Sequence, residues 1–469
     1  MMASISPSHT ILLPHLPPKT LVGIDLITFT STPNFHGIRD LPAGWHFLYT
    51  GTTESLSLRC GAWFFVGDIN AAGRLGDEKA MVSTTRGNTG SEIIVWKWDS
   101  NTETLIPFFG NSDSDIQDAM RYKANLSAIW QRGGLFQYRS RVPPSSLSKR
   151  TPENPVPVQD EDDEENEENS RKDWQDLTDR LTPALLTRII GDPDLDVDDR
   201  LRWMVTSAST AKRDDDDIPG INDSTEATDG LGRAIAEQDS EFSFLPINLK
   251  ITWREGAIGR ERTEAAQDRS WALGELVHQA STSQDSLREA TERIGETQVL
   301  GELQFTFLMI LTLMNYSCLQ QWKRLLELIL TCRIAIKERE LFMRDVLRLL
   351  LLQLQRCDDV EGGLFDLDGE EGGDFLRKLL VRFRKSLFEV VGENHSQVKD
   401  EFEKLEKWVK DEYDWELNRG VIVQRGMLQL EDGEQVEMDT NEGDEDDEMG
   451  EYAPVVVELG EEGEEIGKY

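Results

Sequence analysis

The chain lacks the short patterns that carry most enzyme chemistry. There is no GxSxG, no GxxxxGK[ST], no HExxH, and no GxGxxG following a strand-like run. Its four cysteines (Cys60, Cys318, Cys332, Cys357) show no CxxC spacing, and two or three fall in apolar helical stretches. They read as buried, reduced thiols of an intracellular protein. The six histidines are scattered without metal-ligand spacing. His46, between Trp45 and Phe47 on a strand-like run, reads as a packed histidine rather than a ligand. No apolar run is long enough to span a bilayer, since Phe305–Met314 covers ten residues and includes two threonines. The opening MMASISPSHTILLPHLPPKT lacks the charged n-region and long h-region of a secretory leader, so none is expected. Clustered Lys/Arg of the kind that grips phosphate is scarce, which argues against direct nucleic-acid binding.

Acid is what the chain has in excess. Among 469 residues, 88 Asp+Glu against 50 Lys+Arg give a net charge of −38. Two short stretches hold −24 of it: the run Asp160–Glu168 (−8) and the segment from Glu431 to the end, with 17 acidic residues against Lys468 (−16). The remainder is only mildly acidic, with enough apolar content for two to three domains. The aspartates from Asp192 to Asp198 imitate a calcium loop, but the sixth position is Val197 and the twelfth is Trp203, where Gly and Glu are required. Asp366-Leu367-Asp368-Gly369 is similarly incomplete. Both are expected to be loop and cap residues. Carboxylates are numerous enough to imagine a hydrolytic pair anywhere, and sequence cannot place two at catalytic separation.

Residues 1–205 read as a β-rich domain with peripheral helices. Strand-like runs occur at Leu21–Phe29, Trp45–Tyr49, Ala62–Val66 and Ile93–Trp98, with Thr104–Ile106 as a returning strand. A sandwich or barrel is expected. One helix is predicted over Ser114–Gln131, with Ile116, Met120 and Ile129 on its apolar face. Residues 142–170 read as an acidic loop. Helices then follow through Trp174, Leu177 and Leu181, and through Leu185–Ile190 behind Pro183. Residues 206–240 form a polar linker. Within 241–420, Phe242–Trp253 suggests extended segments. Helices are then predicted over Thr263–Gln279, Val299–Tyr316, Leu319–Lys337, Glu340–Cys357, Asp374–Val391 and Ser396–Tyr413. The fold class expected is therefore α+β and multidomain: a β-rich N-terminal domain, an all-α domain, and a disordered acidic tail over 421–469.

That tail contains one apolar interruption, residues 453–459. Pro454 opens a run of three valines, Val455, Val456 and Val457, closed by Glu458 and Leu459. High β-propensity inside a charged, unfoldable context suggests a strand kept for a partner's sheet edge. The same run can instead pack back on its own domain.

Three blocks resemble one family in order along the chain. Phe35-His36-Gly37-Ile38-Arg39-Asp40-Leu41-Pro42-Ala43-Gly44-Trp45-His46-Phe47 follows Gly23-Ile24-Asp25 and precedes Arg59-x-Gly61-x-Trp63-Phe64. Leu300–Phe307 is followed by Gln321–Leu328, and Ala453–Leu459 closes the series. Together they resemble the AAR-two splicing factors (the a-one cistron-splicing factor family). The resemblance implies a β-rich domain joined to a VHS-like helical domain and no enzymatic activity or cofactor. It implies assembly of the U-five small nuclear ribonucleoprotein through the scaffold Prp-eight, at its RNase H-like and Jab/MPN domains, with the Brr-two helicase held off. Expected partners are that scaffold and other U-five proteins, with no membrane and no direct nucleic acid. The chain alone is expected to be monomeric and to occupy nucleus and cytoplasm. Partner-binding residues expected are the tail strand, together with Glu302 and Gln304 as exposed contacts. Leu303, Phe305, Phe307, Leu325 and Leu328 are expected in the core, with Trp322 on the same apolar stripe. Two other readings stand beside this one. A VHS-like adaptor in membrane trafficking would explain the helices but neither the β-rich half nor the tail strand. A hydrolase with an unrecognised carboxylate site would turn over substrate, yet no motif supports it.

Overall fold

The computed structural model describes residues 8–51, 58–69, 91–140, 160–211, 241–281, 288–357, 372–392, 394–417, 424–429 and 435–440. The chain divides into two compact units that do not follow its order. The first comprises residues 1–247, 273–326 and 345–372; the second comprises 248–272, 327–344 and 373–469. A β-rich N-terminal half followed by helices is present as expected.

Two sheets face each other in the first unit. One has the order β8-β7-β1-β4-β9, built from β1 (Thr10–Leu12), β4 (Gly37–Arg39), β7 (Ile93–Asp99), β8 (Thr104–Pro107) and β9 (Leu135–Gln137). The other runs β10-β11-β6-β5-β2-β3, from β2 (Leu21–Ile24), β3 (Ile27–Thr30), β5 (Gly44–Gly51), β6 (Arg59–Val66), β10 (Asp194–Leu195) and β11 (Leu201–Thr206). Period-two alternation decides what each strand offers the core. From β1, Ile11 turns toward the second sheet with Ile94 and Trp96, meeting Val22, Ile24, Leu48, Phe64 and Val66. Its neighbour Leu12 turns the other way, with Val95, onto Ala119 and Phe108.

The strands β5 and β6 do not alternate, because both their faces are covered. Seven of eight residues in each are buried, as expected of strands in a middle layer. Behind them lies a layer of indoles. The ring of Trp63 stacks on Trp174 at 6.0 Å and meets Phe305 at 6.4 Å. Trp45 packs edge-on against Trp203 at 5.7 Å. Each polar edge of this layer but one has a partner. Trp45 donates to the Leu181 carbonyl, Trp174 to the Trp45 carbonyl and Trp203 to the Thr187 hydroxyl, at 2.8–3.0 Å. The aromatic density explains two glycines. A Cβ at Gly23 would lie 2.0 Å from the Tyr49 ring, and one at Gly61 would lie 2.5 Å from Phe47.

Several expectations are corrected. The single helix over Ser114–Gln131 is two, α1 (Asp113–Ala124) and α2 (Leu126–Gln131), which meet at Asn125. Met120 is exposed, and Ala119 takes the inward place. The acidic loop expected over 142–170 is helical from Asp160 onward. Residues Asp160–Thr178 form α3, whose far end is anchored by buried Trp174 and Leu177. Carboxylates favour the first turns of a helix, so an anchored end can extend back through the acidic run. The helix α4 (Pro183–Ile190) begins as expected, with Pro183 in its first turn and the Thr182 hydroxyl accepting from the Leu185 N–H. Phe242–Trp253 contains no strand; among the described residues its sheet-like contact is a single bridge from Ala211 to Phe242.

The later helices are α5 (Arg260–Gln267), α6 (Ser270–Ala280), α7 (Arg288–Leu313), α8 (Tyr316–Leu330), α9 (Ala335–Glu338), α10 (Glu340–Gln355), α11 (Gly372–Val391) and α12 (Gln397–Tyr413). Two predicted helices are thus each divided, at Asp268–Arg269 and at 331–334. Asp268 explains the first break and steadies the second: its carboxylate accepts from the backbone N–H of Ser270, Arg333 and Ile334. In the second unit, Leu376, Leu380, Phe383 and Leu387 of α11 and Val398, Phe402, Leu405 and Val409 of α12 are buried, with the Phe383 and Phe402 rings 5.4 Å apart. Glu340 accepts from the Ser396 hydroxyl and the Gln397 N–H, while Ser396 caps α12 through the Val398 N–H. The tail is not uniform: β12 (Gln424–Gln429) and β13 (Gln435–Thr440) pair as an antiparallel hairpin. The strand expected at 453–459 lies outside the described residues.

Candidate functional site

The two folded-domain contacts expected from sequence turn out to be interior. Glu302 and Gln304 of α7 are 0% and 1% exposed, so neither is available as an exposed contact. The Glu302 carboxylate accepts from the Leu245 N–H at 3.0 Å and from the Gln321 amide at 2.8 Å, and pairs with Arg188 at 2.7 Å. Gln304 acts as an interior clip. Its carbonyl accepts from the Arg180 N–H at 3.0 Å, and its amide donates to the Asp176 carbonyl and the Asp179 carboxylate. Burial raises the Asp179 carboxyl above its ordinary value, against the pull of Arg180 and the Gln304 bond. A helix surrounded by apolar neighbours turns its few polar groups toward neighbouring backbone, because an unpartnered buried polar group costs about 1–3 kcal/mol. In this helix polarity does not imply exposure.

Trp322 meets the core expectation. It is 2% exposed, and its indole N–H donates to Gln353 Oε1 at 3.0 Å. Gln353 in turn donates to the Leu303 carbonyl at 3.1 Å. Leu303, Phe305, Phe307, Leu325 and Leu328 are all buried.

Inside the paired sheets a second polar cluster was not foreseen as a unit. Asp25 takes a left-handed backbone conformation, φ 55°, at the β2–β3 turn. Its Oδ2 accepts from the Tyr138 hydroxyl at 2.6 Å and from His46 Nδ1 at 2.8 Å; its Oδ1 accepts from the Phe47 N–H at 2.9 Å. The second nitrogen of His46 lies 2.9 Å from the Pro42 carbonyl, which can only accept. Both ring nitrogens thus face acceptors, an arrangement that favours the imidazolium. Burial opposes that charge, but the Asp25 charge and hydrogen bond, with the Pro42 carbonyl, outweigh it and hold the pKa of His46 above its ordinary value. Burial, then Asp25, drives the Tyr138 phenol well up. Asp25, His46 and Tyr138 resemble a catalytic relay, yet each is at most 4% exposed and His46 has no nitrogen left to meet a substrate. The group holds β2, β5 and the segment after β9 together. All three residues stood in plain sight, two of them within the blocks that resembled a family, but nothing local joins residue 25 to residue 138.

The calcium-loop imitation is explained by its partners. Asp194 pairs with Arg202 and Asp198 with Lys123 and Arg200, while Asp196 accepts from the backbone of Asp198 and Arg200. No cluster of metal-ligating side chains occurs among the described residues, and no described helix is long and apolar enough to cross a membrane. A cavity of about 200 Å³ lies beside β3, lined by Leu26, Phe29, Tyr49, Arg59 and Thr312 among others. Within it the Arg59 guanidinium donates to the Thr312 carbonyl at 3.0 Å.

Comparison with known proteins completes the picture. Residues 7–191 match the AAR2 N-terminal domain and residues 244–418 the AAR2 C-terminal repeat region. Curated relatives named "Protein AAR2 homolog" from Pongo abelii, Macaca fascicularis and Homo sapiens are each 22% identical over 352 residues. The match covers 74% of this chain and 75% of theirs. The two matched regions together span most of the folded chain, and the chain belongs to the AAR2 family of splicing factors.

Proposed function

We propose that this protein is a non-enzymatic assembly factor of the U-five small nuclear ribonucleoprotein, in nucleus and cytoplasm. It binds a Prp-eight-like scaffold at the RNase H-like and Jab/MPN domains and holds off the Brr-two helicase until the particle matures. The observation that carries this reading is the collinear match of both AAR2 regions across the folded part of the chain. Physical chemistry supports the mode of contact. Polar residues of the matched helical block are spent inside the molecule, so contact falls to surfaces and to the tail. Pro454–Leu459 can add to an exposed sheet edge through main-chain hydrogen bonds, with alternate valines in side pockets. Pro454 lacks an N–H and marks the strand's start. Docked folded domains would keep the tethered strand at high local concentration.

The test compares full-length protein with a version ending at Glu451, both titrated with a scaffold fragment carrying the two domains. Tight binding that weakens tenfold or more on truncation supports strand addition. Equal binding by both moves the contact to the folded surface. If neither binds, the scaffold reading fails.

A further inference from the structure

Tyr49 of β5 carries a hydroxyl that the fold leaves unused. The residue is 3% exposed. Its ring lies across β2, where Gly23 makes room: a Cβ there would fall 2.0 Å from the ring carbon that bears the hydroxyl. Gly23 stands between Tyr49 of β5 and Thr28 of β3, so the hydroxyl end of the ring is directed past β2 toward β3. There Tyr49 lines the cavity beside β3, in company with Thr28, Arg59 and Leu311, all within the first unit. Among the described residues the Tyr49 hydroxyl has no hydrogen-bond partner. Buried tyrosines ordinarily find one.

The surroundings say what would satisfy it. Burial drives the Tyr49 phenol far above its ordinary value, against the pull of Arg59 and with the help of Asp25. The group therefore stays an O–H, and what it offers the cavity is a donor. Arg59, 7% exposed, already holds the Thr312 carbonyl at 3.0 Å. Its part here is its positive charge, which a guanidinium keeps whatever else it bonds. Asp25, the acid on the lining, has its carboxylate taken by three donors and its charge matched by His46. The remaining wall is apolar, from Leu21, Leu26, Phe29 and Leu311. Thr28 is exposed on the edge strand β3, so the cavity opens beside it. Its volume of about 200 Å³ exceeds the roughly 150 Å³ that suffices to hold benzene. We propose that this cavity binds a small carboxylate with a flat apolar body. The carboxylate accepts from the Tyr49 hydroxyl under the charge of Arg59, and the ring lies against Leu21, Phe29 and Leu311. A free aromatic acid and the C-terminal phenylalanine of a peptide share this chemistry, and the test separates them.

The test is fluorine NMR of para-fluorobenzoate titrated with the full-length protein. Line broadening of the acid is expected, with the neutral para-fluorobenzyl alcohol bound about tenfold more weakly. Tyr49→Phe removes only the unused hydroxyl and breaks no bond inside the protein. It should leave circular dichroism unchanged and weaken the acid about tenfold, the worth of one hydrogen bond to a charged group. Thr28→Trp, at the exposed rim, should block entry with the fold intact. Binding of equal strength in both folded variants places the acid elsewhere and overturns the proposal. So does the absence of broadening by the wild type up to the solubility limit of the acid. An N-acetyl dipeptide ending in para-fluorophenylalanine that binds more tightly than para-fluorobenzoate assigns the carboxylate to a chain end, and one that binds more weakly assigns it to a free acid. Neither tail nor scaffold enters these readouts, so failure here leaves the assembly reading untouched.

Discussion

Two buried polar clusters, one around Asp25 and one around Glu302, do similar work with different materials. The Asp25 group draws on residues 25, 42, 46, 47 and 138 and ties strands of one sheet to the segment behind another. The Glu302 group draws on residues 188, 245, 302 and 321 and ties three helices, α4, α7 and α8, to a fourth segment that has no regular structure. Its Arg188 keeps unpartnered buried nitrogens, whereas no side-chain atom of the Asp25 group is left without a partner. The difference teaches where a buried charge is tolerated. In the sheet it is neutralised by a partner of opposite charge at full burial. At the helix junction it is neutralised by an arginine reaching in from a partly exposed position, 23% against 0% for the carboxylate.

The largest effect is expected on removal of the junction carboxylate. Glu302→Ala leaves Arg188 and the Leu245 N–H without their acceptor, and loss of one partner of a buried pair costs about 3–5 kcal/mol. A urea titration followed by tryptophan fluorescence measures it, and a loss below about 1 kcal/mol would mean the cluster is not holding the junction. Next in size is a steric test beside the same residue. A Cβ at Gly301 would sit 2.8 Å from the Arg180 carbonyl and from Leu185. Gly301→Val should therefore cost about 1–3 kcal/mol by overpacking, read from the same titration.

The sheet cluster is separated from the junction by pH. A folded-state pKa raised above 6.5 means that the imidazolium's contribution is fully present below pH 6.5 and is lost as pH rises through the folded value. The urea midpoint of the wild type should fall across that window, and His46→Asn should flatten the fall. A slope unchanged in His46→Asn would place the titrating group elsewhere. Smallest of all is the control for exposure. Arg260 and Glu264 pair at 2.7 Å on the open face of α5, 90% and 60% exposed. Arg260→Ala should shift stability by about 0.5 kcal/mol or less, which separates burial from mere charge as the source of the larger effects.

Legibility in the sequence followed locality. Strands such as Trp45–Tyr49 and Ala62–Val66, and helices such as α10 and α12, were readable because periodicity and caps are local signals. Ser396 capping α12 and Pro183 opening α4 are examples. Short edge elements, β9 and β10 among them, carry too few residues to show a period. The helical reach of α3 was hidden because its anchor, Trp174, lies beyond the acidic run it supports. The hairpin β12–β13 was not legible because it lies in a stretch whose net charge reads as an unfolded tail. The inward turn of Glu302 and Gln304 had no local signal at all. Their partners lie up to 128 residues away, and only the third dimension brings them together.

The indole layer also sets a schedule for synthesis. Trp63 emerges from the ribosome 242 residues before Phe305, the ring from α7 that helps cover it. At about 5–20 residues per second, the rear of the second sheet waits roughly 10–50 s for that cover. Half-made chains therefore hold bare tryptophan and phenylalanine until α7 is made. A holding chaperone that binds this face co-translationally would govern how much of the protein is ever obtained.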